Sequence, residues 1–123
     1  MSEIKVSHQS TTLVLNTETL GIEITAHGET WRSEKMYQPH FYVNDKKIYF
    51  HQAGKLEHFS WNTGVGCGIR SVFSGFHLSG KEDTLSFQTV IWIEYATEDI
   101  FFELNPLTAV SYTHLTLPTI LLV

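Results

Sequence analysis

The sequence has few charges, a single cysteine and no long apolar run. Charged residues make up 17% of its 123 residues and hydrophobic residues 42%, a balance that argues against a disordered chain. Cys67 is the only cysteine, so no disulfide can form within the chain. No stretch reaches the ~20 apolar residues of a membrane-spanning helix. The N-terminus also lacks the apolar run of a secretory signal, so we expect a cytoplasmic protein that does not engage a membrane.

Basic residues are scarce as well. Eight Lys and Arg residues stand against 13 Asp and Glu residues, which gives a formal net charge of −5. The basic side chains are scattered along the sequence and form no positive cluster of the kind that binds phosphate backbones. The sequence therefore predicts no nucleic-acid partner.

Aromatic residues are abundant, and apolar residues alternate with polar ones along much of the chain. Aromatic residues reach 13% and pack well on pleated sheets. The clearest alternation runs from Thr84 to Tyr95, with the period of two that a half-buried strand requires. Shorter extended segments, separated by polar turns, occupy 11–16, 21–26, 40–43, 47–51, 56–61, 69–78 and 99–104. We predict an all-β fold, an antiparallel β-sandwich.

The last segment of the chain resembles a sequence that is foreign to the protein. Residues 110–119 read Val-Ser-Tyr-Thr-His-Leu-Thr-Leu-Pro-Thr, which is similar, codon by codon, to one reading frame of a common transposase sequencing adapter. We therefore expect a native β-sandwich fragment in residues 1–109, incomplete at its C-terminus, and a non-native tail in residues 110–123. The alternative is an ordinary apolar strand broken by Pro118.

Few motifs point to chemistry. The Gly-rich segment 64–68 lacks the Gly-Lys-Ser/Thr ending of a phosphate loop, which favours a turn or bulge. The seven histidines are His8, His27, His40, His51, His58, His77 and His114. None of them stands with the cysteine at zinc-like spacing, and the scattered carboxylates specify no pair for glycosidic hydrolysis. We expect no metal site, no cofactor and no catalytic residue, and we interpret Cys67 as a small buried residue.

Trp61 and Arg70 are the strongest candidates for contact with a ligand. Trp61 precedes Asn-Thr-Gly at a predicted junction between strand and loop. An indole ring packs against the C–H face of a sugar and donates through its N–H, and a guanidinium can donate several hydrogen bonds to a polyol. A domain interface would suit the same two side chains, and both interpretations stay open. For Trp31 and Trp92 we expect core packing.

Three segments together carry a family resemblance. They are 28–32 (Gly-Glu-Thr-Trp-Arg), 61–71 (Trp-Asn-Thr-Gly-Val-Gly-Cys-Gly-Ile-Arg-Ser) and 92–99 (Trp-Ile-Glu-Tyr-Ala-Thr-Glu-Asp). Set among short strands, they resemble the leading β-domain of large bacterial glycoside hydrolases, of the family 31-like or family 101/129-like type. In those enzymes a galactose mutarotase-like β-supersandwich precedes a catalytic (β/α)8 barrel.

The resemblance implies a non-catalytic N-terminal domain of a carbohydrate-active hydrolase. Its implied partners are the catalytic barrel of the same parent chain and a carbohydrate, and the parent would supply the reacting carboxylates. Two other functions stay open, a stand-alone carbohydrate-binding module and a structural or oligomerisation domain. A mutarotase-type epimerase is a further enzyme hypothesis, although the sequence identifies no paired histidine and carboxylate for it.

Overall fold

The computed structural model describes residues 3–33, 38–43, 45–76, 85–107, 114–115 and 120–122. In chain order its strands are β1 Glu3–His8, β2 Thr11–Asn16, β3 Ile22–Ala26, β4 Glu29–Ser33, β5 His40–Val43, β6 Lys46–Tyr49, β7 Lys55–Asn62, β8 Gly66–Ser74, β9 Ser86–Glu94, β10 Ile100–Pro106, β11 His114–Leu115 and β12 Ile120–Leu122. A short 3₁₀ turn, Phe50–Gln52, follows β6. Within these ranges, no helix has the length and apolar character needed to cross a bilayer.

The strands form three antiparallel sheets. The first has the order β1-β2-β3-β4-β12, the second β10-β9-β8-β7, and the small third sheet β11-β5-β6. Buried side chains of the first and second sheets pack together in one cluster, so these sheets are the two layers of a sandwich. The predicted all-β, antiparallel fold is confirmed.

The segment 110–123 contributes only short edge pairings where it is described. His114–Leu115 pairs with β5, and Ile120–Leu122 pairs with β4. Each segment stands at the end of its sheet. The expected foreign origin of this segment and the boundary at residue 109 stay predictions, which the reading frame of the intact gene would test.

The alternation of β2 and β3 produces the inner face of the first sheet. Leu13 and Leu15 on β2 and Ile22 and Ile24 on β3 are all buried, and the residues between them face outward, as a strand with period two requires. In the turn that joins the strands, the Asn16 side chain accepts hydrogen bonds from two backbone N–H groups. Such an Asx turn fixes the hairpin register.

The core has two clusters. The cluster between the large sheets consists of Leu13, Leu15, Ile22, Ile24, Ile69, Ile91 and Ile93. The second cluster joins the β5–β6 hairpin to β8 and β9 and consists of Leu20, Phe41, Ile48, Phe50, Phe73, Phe76, Leu85 and Phe87. Since burial of one such side chain contributes ~1.5–3 kcal/mol, these two clusters supply the main driving force for folding.

The structure differs from the sequence prediction at the Gly-rich segment. A turn or bulge was expected over 64–68, but β8 already begins at Gly66. Gly66 and Gly68 lack a left-handed φ. The extended segment expected over 69–78 ends earlier, at Ser74, and Gly75 follows it with φ +74°. Both glycines pack against β9, and the Gly66 carbonyl also closes the turn from β7 by accepting a hydrogen bond from the Thr63 N–H at 2.9 Å.

Two further expectations are corrected at the ends of strands. The extended segment expected over 47–51 ends at Tyr49, because the chain turns into the 3₁₀ turn there. β1 was not predicted, although it pairs with β2 along its full length. Asn44 and residues 77–84, which include the end of the extended segment expected over 69–78 and the first residue of the alternation expected from Thr84, lie outside the described residues.

Candidate functional site

The outer face of the second sheet carries a contiguous group of aromatic side chains. We call it the aromatic face and define it by Phe59, Trp61, Trp92 and Phe101. The Trp61 and Trp92 ring centroids lie 5.2 Å apart, and Trp92 stacks on Phe101 at 4.7 Å. Phe59 is 41% exposed and Phe101 39% exposed. Scattered apolar residues are normal on a surface, whereas a contiguous group marks an interaction site.

Two glycines of β8 make room for Trp92. Gly68 is its direct cross-strand partner, and a Cβ added there would lie 2.6 Å from the Trp92 Cα. A Cβ on Gly66 would meet the carbons of the indole ring. The indole therefore packs against bare backbone and remains half-buried on the outer face. The expected place of Trp92 in the core was wrong, because β9 points it away from the inner layer.

Two charged side chains contact the rings of the aromatic face, one through a cation–π interaction and one through a hydrogen bond. The Arg70 Cζ lies 5.3 Å from the Phe59 ring centroid, and the Arg70 Nε donates to the Gln88 Oε1 at 2.7 Å. The Trp92 Nε1 donates to the Glu103 Oε2 at 2.6 Å. These two hydrogen bonds fix the orientation of Arg70 and of the Trp92 indole on the face.

Trp61 and Arg70 lie on this same face, in neighbouring rows of the sheet. Trp61 stands opposite Gly68, and Arg70 stands opposite Phe59. Their expected role in binding a ligand stays a prediction. Trp31 is half-buried on β4, opposite the buried Ile24.

A cleft lies between β1 and β7, which end the first and second sheets on one side of the sandwich. We call it the edge cleft. It is open to solvent and has a volume of ≈320 Å³, and its walls include Lys5, His8, Trp61, Asn62, Cys67 and Tyr95. Trp61 therefore borders both the aromatic face and the edge cleft, at the place where the two meet.

Tyr95 organises the inner wall of the edge cleft. Its hydroxyl donates to the Asn62 Oδ1 at 3.0 Å, and its ring lies 4.6 Å from the ring of His8. Burial, with the nearby Cys67 thiol, raises the pKa of the Tyr95 phenol. The Nε2 of His8 is buried without a hydrogen-bond partner among the described residues. Such an atom is uncommon in a folded protein and calls for an explanation.

A second unpartnered histidine nitrogen lies on β7. The His58 Nδ1 is 2.7 Å from the Ser71 Oγ, while the Nε2 is buried and has no partner within the described part of the chain. Burial lowers the pKa of His58, so the ring is neutral at pH values near 7. This side chain does not border the edge cleft.

A polar cluster joins the two sheets at one end of the sandwich. Glu98 lies in the turn between β9 and β10 with φ +60°. Its Oε1 accepts hydrogen bonds from the Thr11 Oγ1 at 2.8 Å and the Ser10 Oγ at 2.9 Å. The bonds from Thr11 and Ser10, with a smaller contribution from the charge of His27, lower the pKa of the Glu98 carboxyl.

We expect replacement of Glu98 by glutamine to reduce the acid sensitivity of folding. Because the pKa is lower in the folded state, the carboxylate contributes stability that is fully present above its ordinary pKa of 4.5 and is lost as the pH falls through the folded-state value. Urea unfolding from about pH 7 to about pH 3 should therefore show the native chain and Glu98→Gln converging in stability. The exposed Glu29→Gln variant is the control, and parallel pH profiles for native chain and Glu98→Gln would contradict the expectation.

Comparison with solved structures finds one enzyme several times. The alpha-N-acetylgalactosaminidase NagBb from Bifidobacterium bifidum, in its GalNAc complex, matches with a TM-score of 0.79 and 30% identity over 89% of this chain and 17% of that chain. Its Gal-NHAc-DNJ complex matches with a TM-score of 0.78 and 30% identity over 88% and 16%. The ligand-free form matches with 0.76 and 31% identity over 85% and 16%. No protein-family model and no curated protein matches the sequence.

The matched region covers 89% of the chain and therefore most of the sandwich. The chain spans only about a sixth of the enzyme it matches. The finer expectation of a particular glycoside hydrolase family, with a mutarotase-like supersandwich, stays a prediction. What the comparison establishes is that this chain is an antiparallel β-sandwich similar in sequence and structure to one part of a glycoside hydrolase.

Proposed function

We propose that the chain is a non-catalytic β-sandwich domain of a glycoside hydrolase that acts on α-linked N-acetylgalactosamine. The observation that carries the proposal is the 30% identity to alpha-N-acetylgalactosaminidase NagBb across 89% of the chain. The reaction class needs two carboxylates that face each other across the scissile bond. No carboxylate of the described residues lines the edge cleft, and Glu103 and Glu98 are each bound to neighbouring side chains. The reacting groups are therefore assigned to another part of the parent protein.

The aromatic face is the surface that we assign to contact with a catalytic barrel of the parent. Interface cores are enriched in aromatic residues and arginine, and this face combines four rings with Arg70. Two of the rings, Phe59 and Phe101, each expose about two-fifths of their surface. Covering these rings would remove apolar area from water at ~25 cal/mol per Å². On this proposal Trp61 and Arg70 are interface residues.

The parent gene product tests the activity. Assayed on an aryl α-N-acetylgalactosaminide, it should release the aryl group, whereas the 123-residue chain by itself should release none. A panel of other aryl α- and β-glycosides serves for comparison. Failure of the parent on the whole panel, or hydrolysis by this chain alone, would contradict the proposal.

Replacing Phe101 by glutamate tests the assigned interface. In the parent protein, a buried unpaired carboxylate in an interface costs several kcal/mol, so the melting temperature should fall by more than about 5 °C. In the isolated chain, where this side chain is 39% exposed, the same change should shift the melting temperature much less. Val65→Glu, at a loop position that is 60% exposed, is the matched control. Equal shifts for Phe101→Glu in parent and chain would place the interface elsewhere.

A further inference from the structure

We propose that a strand from another part of the parent protein pairs with β7 along its outer edge and extends the second sheet. β7 is the last strand of that sheet, and within the described ranges β8 is the strand that pairs with it. The inference goes beyond the proposed function, because it concerns the backbone of β7 and not the aromatic face. It needs a longer parent chain but no particular activity.

The hydrogen-bond pattern of the β7–β8 hairpin identifies the backbone groups that face this edge. Beside the turn, the Thr63 N–H donates to the Gly66 carbonyl at 2.9 Å. Bonded and non-bonded pairs alternate along an antiparallel ladder, so the next bonded positions on β7 are Trp61, Phe59 and Glu57. The N–H and C=O groups of the residues between them therefore point away from β8; these residues are Leu56, His58, Ser60 and Asn62.

β7 has few of the features that keep an edge strand from pairing. Edge strands are normally protected by proline, bulges, short length or charge. β7 runs for eight residues without proline, and its register with β8 is unbroken from Lys55 to Asn62. Its charged residues, Lys55 and Glu57, lie near its start, with the Lys55 Nζ 3.7 Å from the Glu57 Oε1. The second half of the strand, residues 59–62, is uncharged and can accept a further strand.

Space for a further strand is present beside this second half. Ser60 and Asn62 are exposed, and both line the edge cleft. A strand that pairs with β7 would lie ~4.8 Å from it, in the plane of the second sheet. It would therefore occupy the side of the sheet and not the aromatic face, which stays available for the partner assigned to it above.

The side chains of β7 indicate the chemistry of the added strand. Phe59 and Trp61 lie on the aromatic face, so aromatic or β-branched residues opposite them would add favourable cross-strand contacts. His58 contacts Ser71 on the other face of the sheet, and small polar residues suit the positions opposite His58 and Ser60. We therefore expect an uncharged segment in which apolar and polar residues alternate.

A strand of the same parent molecule is a more favourable occupant than a second copy of this chain. The solved enzyme matches this chain over 17% of its own length, so most of its residues lie outside the matched region. A strand within one parent molecule is held near β7 at a high effective concentration. A second copy would instead lose translational and rotational freedom on binding.

Hydrogen exchange of single amides tests the pairing in the 123-residue chain and in the parent gene product. The measurement is NMR for the chain and mass spectrometry with fragmentation for the parent. The His58 and Ser60 amides should exchange rapidly in the chain and at least about 100-fold more slowly in the parent. The Phe59 amide, which faces β8 in both proteins, is the internal reference for any general gain in stability.

Proline variants of β7 provide a second readout. Ser60→Pro removes an N–H that faces the outer edge, a change that edge strands tolerate. In the chain its melting temperature should lie within about 3 °C of that of Ser60→Ala, and in the parent it should be lower by more than about 5 °C. Glu57→Pro removes an N–H that faces β8, so it should destabilise both proteins.

Three results would overturn the proposal. Rapid exchange of the His58 and Ser60 amides in the parent would show an open edge. Protection of these amides in the chain that rises with its concentration would assign the edge to a second copy. An equal difference between Ser60→Pro and Ser60→Ala in chain and parent would exclude backbone pairing at this position.

Failure of this inference is distinguishable from failure of the proposed function. A parent that hydrolyses the aryl α-N-acetylgalactosaminide while the His58 and Ser60 amides exchange rapidly would remove only the inference about β7. Protected amides in a parent that is inactive on the whole panel of glycosides would remove only the proposed function.

Discussion

Replacing Gly68 by alanine should strongly destabilise the sandwich. The added Cβ would meet the carbonyl oxygen of Ile91 and lie 2.6 Å from the Cα and Cβ of Trp92. Real Cβ atoms essentially never approach other atoms below 3.0 Å, and these are atoms of the neighbouring strand, which cannot rotate away as a side-chain end can. β8 and β9 would have to separate at the centre of the second sheet. Overpacking usually costs ~1–3 kcal/mol, and a main-chain clash lies at or beyond that limit.

The measurement is urea unfolding followed by far-ultraviolet circular dichroism. Gly64→Ala is the matched control, because no atom lies within 4 Å of an added Cβ at that position and its φ is not left-handed. We expect the free energy of unfolding of Gly64→Ala to lie within ~0.5 kcal/mol of that of the native chain, and that of Gly68→Ala to be lower by ~3 kcal/mol or more. A native-like transition for Gly68→Ala would mean that Trp92 does not lie against β8.

Much of the fold could be predicted because its central strands carry a local signal. On β9 the inward-facing Phe87, Ile91 and Ile93 are buried, although Val90 on the other face is buried as well, and β2 and β3 bury every second residue on one face. When one face of a strand is buried and the other is exposed, apolar and polar residues alternate along its sequence. The turns at His27 and Gly28 also have left-handed φ values, as their sequence indicated.

The edge strand β1 was missed because an edge strand carries a weaker signal. Only Ile4 and Val6 face the core from it, so that six residues contain just two apolar positions at period two. Polar residues are common on edges because they oppose aggregation. Such a strand is recognised only when its partner is known.

The role of the β8 glycines was missed because it depends on strand pairing. Gly66 and Gly68 look like turn residues when the sequence is taken alone, since glycine is the usual residue of turns. Their purpose depends on Trp92, which the register places opposite Gly68. The available signal was a pair of glycines two residues apart, followed by a tryptophan in the next strand, which indicates glycines that make room for a large side chain.

The candidate site could be predicted only in part. Trp61 was singled out from its place at the end of a strand, and that end is confirmed one residue later, at Asn62. The other groups of the edge cleft come from distant parts of the chain, with 33 positions between Asn62 and Tyr95. His8 comes from the strand that the sequence did not reveal. No spacing rule brings such residues together, because the two sheets must pack before they meet.

Truncation of Phe87 to alanine should be the most damaging change within the apolar core. The side chain is 1% exposed, and its ring lies 4.9 Å from Phe73, 5.0 Å from Phe50, 5.5 Å from Phe41 and 5.6 Å from Phe76. These rings come from β5, from the 3₁₀ turn and from the end of β8 with the residues after it, so a hole at Phe87 loosens three parts of the chain at once. Removal of a buried Phe costs ~3–5 kcal/mol, which is a large part of the ~5–15 kcal/mol that stabilises a typical domain.

The size of that loss distinguishes an aromatic ring packed in the core from one that lies on the surface. Phe101→Ala removes the same atoms from a ring that is 39% exposed, so in the isolated chain we expect a loss well below that of Phe87→Ala. Phe87→Leu retains much of the volume and should recover more than half of the loss. Urea midpoints for the three variants would give the order Phe101→Ala, Phe87→Leu, Phe87→Ala from most to least stable. If Phe101→Ala proved as destabilising as Phe87→Ala, the outer rings would belong to the folding core. The aromatic face would then not be a binding surface for a partner.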